Sequence, residues 1–390
     1  MKNLKMLVVL IALMAMLTSC ADNVHSDISN TIPQSNTAST SETVVTTSAT
    51  TEIRKVGNII VDGSGVDFEF AQKRICNNYI QKSSYKDFFQ NSTKTTFIIP
   101  ALEQYFVPQG MDYWDELGWF MISGYFKPTD FSSVSVILAI DAKTGKYAGE
   151  YKLYDPDGSK HTGHDGGVAI TEKDLYLSTG YKLHRIPLSD IKQLGNKGDL
   201  RIVEQISVPV AASFCNYSNG VVWVGEFYKE GSYDLKGNHI YTNNDGKTYS
   251  AWSVGYKVDM NSDRGIEAVP SYVLSIPDIV QGFAVADDGR IFMTQSYGRQ
   301  NNSAYLICDD PLTKAPDKTV TVSGKQVPMW FLDNKNGMKK ISAIPMAEGC
   351  CSVGKEIYVI FESGAYYYRA YDPNSVARDP TDLIWKYTLP

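Results

Sequence analysis

The sequence predicts an all-β chain folded as a β-propeller, five-bladed or, as the alternative, six-bladed, with four antiparallel strands in each blade. Three observations carry that expectation. The 390 residues include 25 Tyr, 15 Phe and 6 Trp, a density of aromatics that suits strands. Turn dipeptides punctuate the chain: Asn219-Gly220, Asp245-Gly246 and Asp288-Gly289, together with Gly145 and Gly158 in longer turns. One unit also recurs, with Gly or a polar residue leading a short strand, a turn, and an aromatic-rich second strand. Taking Gly110, Gly166, Cys215, Gly282 and Gly349 as markers, the spacings are 56, 49, 67 and 67 residues. Propeller blades recur at about 40 to 50 residues, and loops lengthen them.

The clearest copy is Ile279 to Arg299, a hairpin with Asp287-Asp288-Gly289 at its turn. The other copies begin at Val107, His164, Phe214 and Met346. Val56–Asp62 reads as a strand, Phe68–Phe89 as helical or irregular, and Thr95–Pro100 as the start of strand-like sequence. Residues 56–100 are therefore expected to supply a closing strand or part of a sixth blade, with the C-terminal TDLIWKYTLP as the last strand and Val56–Asp62 joining its blade to latch the ring. The folded domain spans 56–390.

Residues 1–19 have the layout of a secretory signal, with Lys2 and Lys5 before the apolar run Met6–Leu17. That run is shorter than the roughly 20 residues a membrane span needs. Of the 27 residues from Ser26 to Glu52, 14 are Ser or Thr, so 20–55 reads as a flexible tether with too little apolar surface to fold. Leu17-Thr18-Ser19-Cys20 resembles the lipobox of bacterial lipoproteins. The resemblance implies cleavage before Cys20, lipid of the palmitate type on its sulfur, and a domain anchored at the extracytoplasmic face of the cell membrane.

Formal charge is −6, with no basic stripe, which argues against a nucleic-acid partner. With Cys20 set aside, Cys76, Cys215, Cys308, Cys350 and Cys351 remain; an odd number makes no complete disulfide framework, and no Cys-x-x-Cys occurs. In Cys350-Cys351, strand alternation would send one thiol into blade packing and the other into the channel.

If the markers open the innermost strands, polar side chains converge on one face. The candidates for binding are Gln109, Asp112, His164, Asp165, Asn216, Gln281 and Glu348 at the strand starts, with Glu226, Gln295, Arg299 and Glu362 from the ends of the second strands. Any one of these could instead satisfy a backbone group of a neighbouring blade. Asp165, Glu226, Glu348 and Glu362 are the catalytic candidates, because paired acids can flank a glycosidic bond. Trp114, Trp119, Trp223, Trp252 and Trp330 could stack on sugars or fill between blades. His161-Thr162-Gly163-His164-Asp165 is the most reactive-looking local sequence, yet it fits no established zinc pattern, and no metal is assigned to it. No cofactor is identified beyond the option of a structural calcium ion in the channel.

Gln281-Gly282 with Tyr297-Gly298-Arg299, Gly166-Gly167, and Glu348-Gly349 with Phe361-Glu362-Ser363-Gly364 resemble the repeats of secreted and lipoprotein β-propellers of bacteria. That resemblance covers residues 104–390 and implies architecture, not activity. No nucleophile elbow, P-loop or dinucleotide fingerprint is present. The sequence therefore favours a binding module, for a polysaccharide or an envelope protein, over a carbohydrate-active hydrolase or lyase and over an assembly protein of the envelope.

Overall fold

A computed structural model of the chain describes residues 72–76, 80, 82–127 and 134–390. Five sheets form a five-bladed β-propeller. The innermost strands are Phe106–Trp114, Gly167–Ile170, Phe214–Ser218, Val280–Val285 and Ala347–Val353. Each packs beside the next, and the fifth packs beside the first, so the ring is closed. We number the blades I to V in that order.

The strands are apolar on both sides because each blade is covered on both sides. Val222 and Val224 pack toward blade II, while Val221 and Trp223, their neighbours in the same strand, pack toward blade IV. Five core clusters result, one between each pair of adjacent blades. This arrangement corrects the expectation for the cysteine pair. Cys350 lies in the core between blades IV and V and Cys351 in the core between V and I, so neither faces the channel. The faces of an inner strand look at neighbouring blades, and only its edge looks at the axis. Cys215, Cys308, Cys350 and Cys351 are buried thiols outside any disulfide.

Four of the five repeat markers are glycines, and Gly167 follows one of them, because inner strands approach one another backbone to backbone. A Cβ on Gly167 would lie 1.9 Å from the amide nitrogen of Cys215, and one on Gly349 would lie 2.5 Å from the Gln109 carbonyl oxygen.

Four-stranded blades hold for II, IV and V; blades I and III are larger. After the third strand of blade II, the chain makes a seven-residue helix, Leu188–Leu194, then lays Lys197–Arg201 parallel to the outer strand of blade I. Blade IV repeats the device. Its insertion sends the hairpin Lys318–Val322 and Lys325–Phe331 back to the outer strand of blade III, again in parallel pairing. Each insertion covers an edge that would otherwise stand open.

Ring closure comes from the N-terminal side. Ser92–Ile98 pairs antiparallel with Leu383–Thr388 as the outermost strand of blade V. The expected strand at Val56–Asp62 lies outside the described residues. Of the expected helical stretch, the described part forms a 3₁₀ turn at Lys82–Tyr85 and a four-residue helix at Phe88–Asn91. Phe88 is fully buried there against Tyr305 and Trp385. Among the described residues, no helix is long and apolar enough to cross a membrane.

Candidate functional site at one mouth of the channel

Three inner strands share a defect at the same place. The pairing of first and second strands skips at Gln109 in blade I, at Gln281 in blade IV and at Glu348-Gly349 in blade V. A bulge adds a residue to one strand and re-aims its side chain. Here it turns Gln109, Gln281 and Glu348 into a cavity of about 510 Å³ at the start of the inner strands. The sequence signal for this is a Gln-Gly or Glu-Gly pair at the head of the repeat.

Glu348 and Glu362 form the floor of that cavity and hydrogen-bond to each other. Gln281 Nε2 donates to Glu348 Oε1 at 3.2 Å, and Gln109 Nε2 to Glu362 Oε2 at 3.3 Å. The Tyr368 hydroxyl bonds with Glu362 and with Tyr125. Burial, then the neighbouring Glu362 carboxyl, holds Glu348 well above the ordinary carboxylate range. Burial lifts Glu362 to about 7, opposing the bonds from Tyr368, Glu348 and Gln109 that draw it down. Two carboxyls in contact cannot both ionise at little cost, so the pair keeps one proton between them near neutral pH.

The walls are aromatic. Tyr125 carries His164 stacked on it, with centroids 4.3 Å apart and planes 6° from parallel. Phe227, Tyr233 and Tyr297 line the opposite side. Basic groups stand at the rim, and several already cover aromatic faces: Lys127 over Tyr367, and Arg299 over Tyr367 and Tyr368. Arg299 Nη1 also donates to the carbonyl and hydroxyl oxygens of Ser375, which fixes the blade V insertion above the cavity.

Six of the eleven binding candidates therefore meet in one place: Gln109, His164, Gln281, Arg299, Glu348 and Glu362. The other five sit elsewhere. Glu226 is fully buried and accepts from His239 Nδ1 and from the amides of Ala211 and Trp252, tying a long insertion to blade III. Asp165 is fully buried against His161. Gln295 is held by the Asp278 carbonyl and by Lys340. Asn216 is buried among the inner strands, accepting from the Val285 amide.

Asp112 lies at the far mouth, a second cavity of about 610 Å³ that also holds Asp115, Glu116, Glu172 and Asp287. Its carboxylate caps the amides of Tyr113 and Ile170, and burial raises it to about 7. Trp114, Trp223, Trp252 and Trp330 are buried between blades.

Tyr368, Lys127, Phe227 and Tyr233 were not legible as site residues. Tyr368 and Tyr233 lie in insertions that break the repeat, so no periodic signal points at them. Ser123 and Thr294 occupy matching places in second strands and do a structural job. Each hydroxyl donates to a backbone carbonyl of the next blade, at Asp165 and at Glu348, which ties adjacent blades together.

No protein-family model matches the sequence, and no curated protein matches it. Among solved structures, the chain is similar to the PQQ-bound aldose sugar dehydrogenase of Streptomyces coelicolor, at 11% identity over 76% of this chain and 97% of that one, with a TM-score of 0.42. It is similar to the glutaminyl cyclase of Myxococcus xanthus, at 10% identity over 69% of this chain and 91% of that one, with a TM-score of 0.38. It is also similar to BamB of Moraxella catarrhalis, at 9% identity over 74% of this chain and 86% of that one, with a TM-score of 0.30. At such identities the likeness is one of fold.

Proposed function

We propose that the chain is a binding propeller, tethered through lipid on Cys20 to the extracytoplasmic face of the cell membrane, whose cavity takes a sugar unit of a polysaccharide. The observation that carries this reading is the Glu348–Glu362 pair, its Glu348 buried, flanked by Gln109 and Gln281 inside an aromatic wall. Sugar hydroxyls both donate and accept. A carboxyl pair with one proton does both as well, and so do two amides. Tyr125, Phe227 and Tyr297 supply flat apolar faces for the ring of a sugar.

Binding is favoured over hydrolysis because of the spacing. Retaining glycosidases hold their two carboxyls about 5 Å apart and inverting ones farther. Glu348 and Glu362 are in hydrogen-bond contact. The remaining acidic candidates, Asp165 and Glu226, are turned into the fold. The anchor rests on the sequence of the first 20 residues.

Titration calorimetry of the full-length protein against mono- and oligosaccharides tests the reading. A sugar that binds should lose affinity by roughly 10-fold or more in Glu348→Ala, the cost of one charge-assisted hydrogen bond. Cleavage of a bound glycan by the wild type, lost in Glu348→Gln, would replace the binding reading with a hydrolytic one. No glycan bound at millimolar concentration would end it. The anchor is tested separately by detergent phase partition, where Cys20→Ala should move from the detergent to the aqueous phase.

A further inference from the structure

Away from the cavity, three metal-ligating side chains from separate parts of the fold meet between blades I and II. Asp155 follows the outer strand Tyr147–Tyr154 of blade I. His161 lies in the segment that leads to blade II, held there by its amide on the Leu153 carbonyl and its carbonyl on the Ser135 amide. His184 sits in the third strand of blade II, Lys182–Pro187. One donor atom from each lies within 4.8 Å of the others. We propose that Asp155, His161 and His184 hold a divalent cation of the zinc class, which staples blade I to blade II.

The donor set selects the ion class. Two imidazoles and one carboxylate suit zinc, whereas calcium and magnesium take oxygen ligands. Asp155 Oδ1 and His161 Nδ1 are already 3.0 Å apart, close to the separation of neighbouring ligands around a tetrahedral ion with bonds of about 2.0 Å. Only His184 has to close in. Its Nδ1 is buried and makes no hydrogen bond, which a core histidine with a purely packing role would not be expected to leave so.

The surroundings are those of a ligand shell. His161 Nε2 is 2.9 Å from Oδ1 of the fully buried Asp165, the carboxylate–histidine arrangement that orients a metal-bound imidazole. Gln205 Nε2 donates to Asp155 Oδ1 at 2.9 Å. Asp165 stands at φ 52°, a costly conformation for a residue other than glycine, held so that its carboxylate reaches His161. Gly163 is required beside that bond, since a Cβ there would lie 2.6 Å from His161 Nε2. Asp155 is partly exposed, which leaves the fourth coordination position to water. Binding replaces the Asp155–His161 hydrogen bond, and the Nδ1 proton leaves to solvent. The same loop carries His164 to the cavity, so the cation also fixes one wall of the binding site.

The test uses tag-free full-length protein, stripped with chelator, dialysed against zinc and freed of excess metal. Elemental analysis should give about one zinc per chain. A competing chromophoric chelator should then show affinity lowered at least about 100-fold in His184→Ala and about 10- to 100-fold in Asp165→Asn, a change outside the first coordination sphere. Circular dichroism identifies a variant that fails to fold, for which His184→Gln is substituted. Cobalt provides a second readout on the wild type. Visible d–d bands of a nitrogen–oxygen site, lost in Asp155→Asn, support the site. Thiolate charge-transfer bands would assign the metal to cysteines and overturn it. So would substoichiometric zinc in the wild type, or variants that bind as tightly as it does.

Discussion

Glu348 and Glu362 carry a cost that the rest of the fold absorbs. Both titrate above the ordinary value of 4.5, so the folded chain keeps a proton that the unfolded chain has released. The contribution is largest below the unfolded value and is lost as pH rises toward the folded values, about 7 for Glu362. Thermal stability of the wild type should therefore fall between about pH 4.5 and 7 through this pair. Glu348→Gln removes one of the two carboxyls, and with it the proton the folded chain must hold. Its melting temperature should match the wild type near pH 4 and exceed it by roughly 2 °C or more at pH 8. Parallel melting curves at the two pH values would show that the pair is not under this strain. Gly167 makes a prediction of opposite sign. With a Cβ 1.9 Å from a backbone nitrogen, Gly167→Ala must push two inner strands apart, at a cost of roughly 3 kcal/mol or more in chemical denaturation. A loss under about 1 kcal/mol would mean that the inner strands can part freely.

Among the elements, the short helix Phe88–Asn91 and the strand after it bear more than their length suggests. Phe88 fills the space between Tyr305 in blade IV and Trp385 in blade V, with ring centroids 5.5 and 5.1 Å away. Phe88→Ala should cost about 3–5 kcal/mol, read as a shifted urea midpoint with an unchanged slope. A loss below about 1 kcal/mol would show that this segment is not part of the cooperative core. The insertions of blades II and IV follow one rule at this scale, each leaving its own blade to cover the outer edge of the preceding one.

For the whole molecule, closure is the condition for stability. Blade V is built from both ends of the domain, with Ser92–Ile98 outermost and Leu383–Thr388 beside it. Removing the chain through Pro100 would expose that edge along with Trp385 and Tyr387, both buried in the wild type. Such a truncation should lose cooperative melting and aggregate, as size-exclusion chromatography and calorimetry would show. A truncated protein that remains monomeric and melts cooperatively would place the closing contacts elsewhere.

The amino-acid sequence by itself determined the architecture. Gln281-Gly282 and Glu348-Gly349 recur because bulges and close backbone approach are local demands, met by local residue choices and therefore visible in the chain. Aromatic strands and glycine turns are local in the same sense. Tertiary structure alone decided which polar residues share a site. Glu226 and Glu362 end equivalent second strands and read alike, yet one is locked by His239 and the other meets Glu348 in the cavity. His239 and Tyr368 come from insertions of unrelated length, and nothing periodic announces them. Asp155 and His184 are 29 residues apart and belong to different blades, so only the packing of one blade on the next brings their donor atoms together.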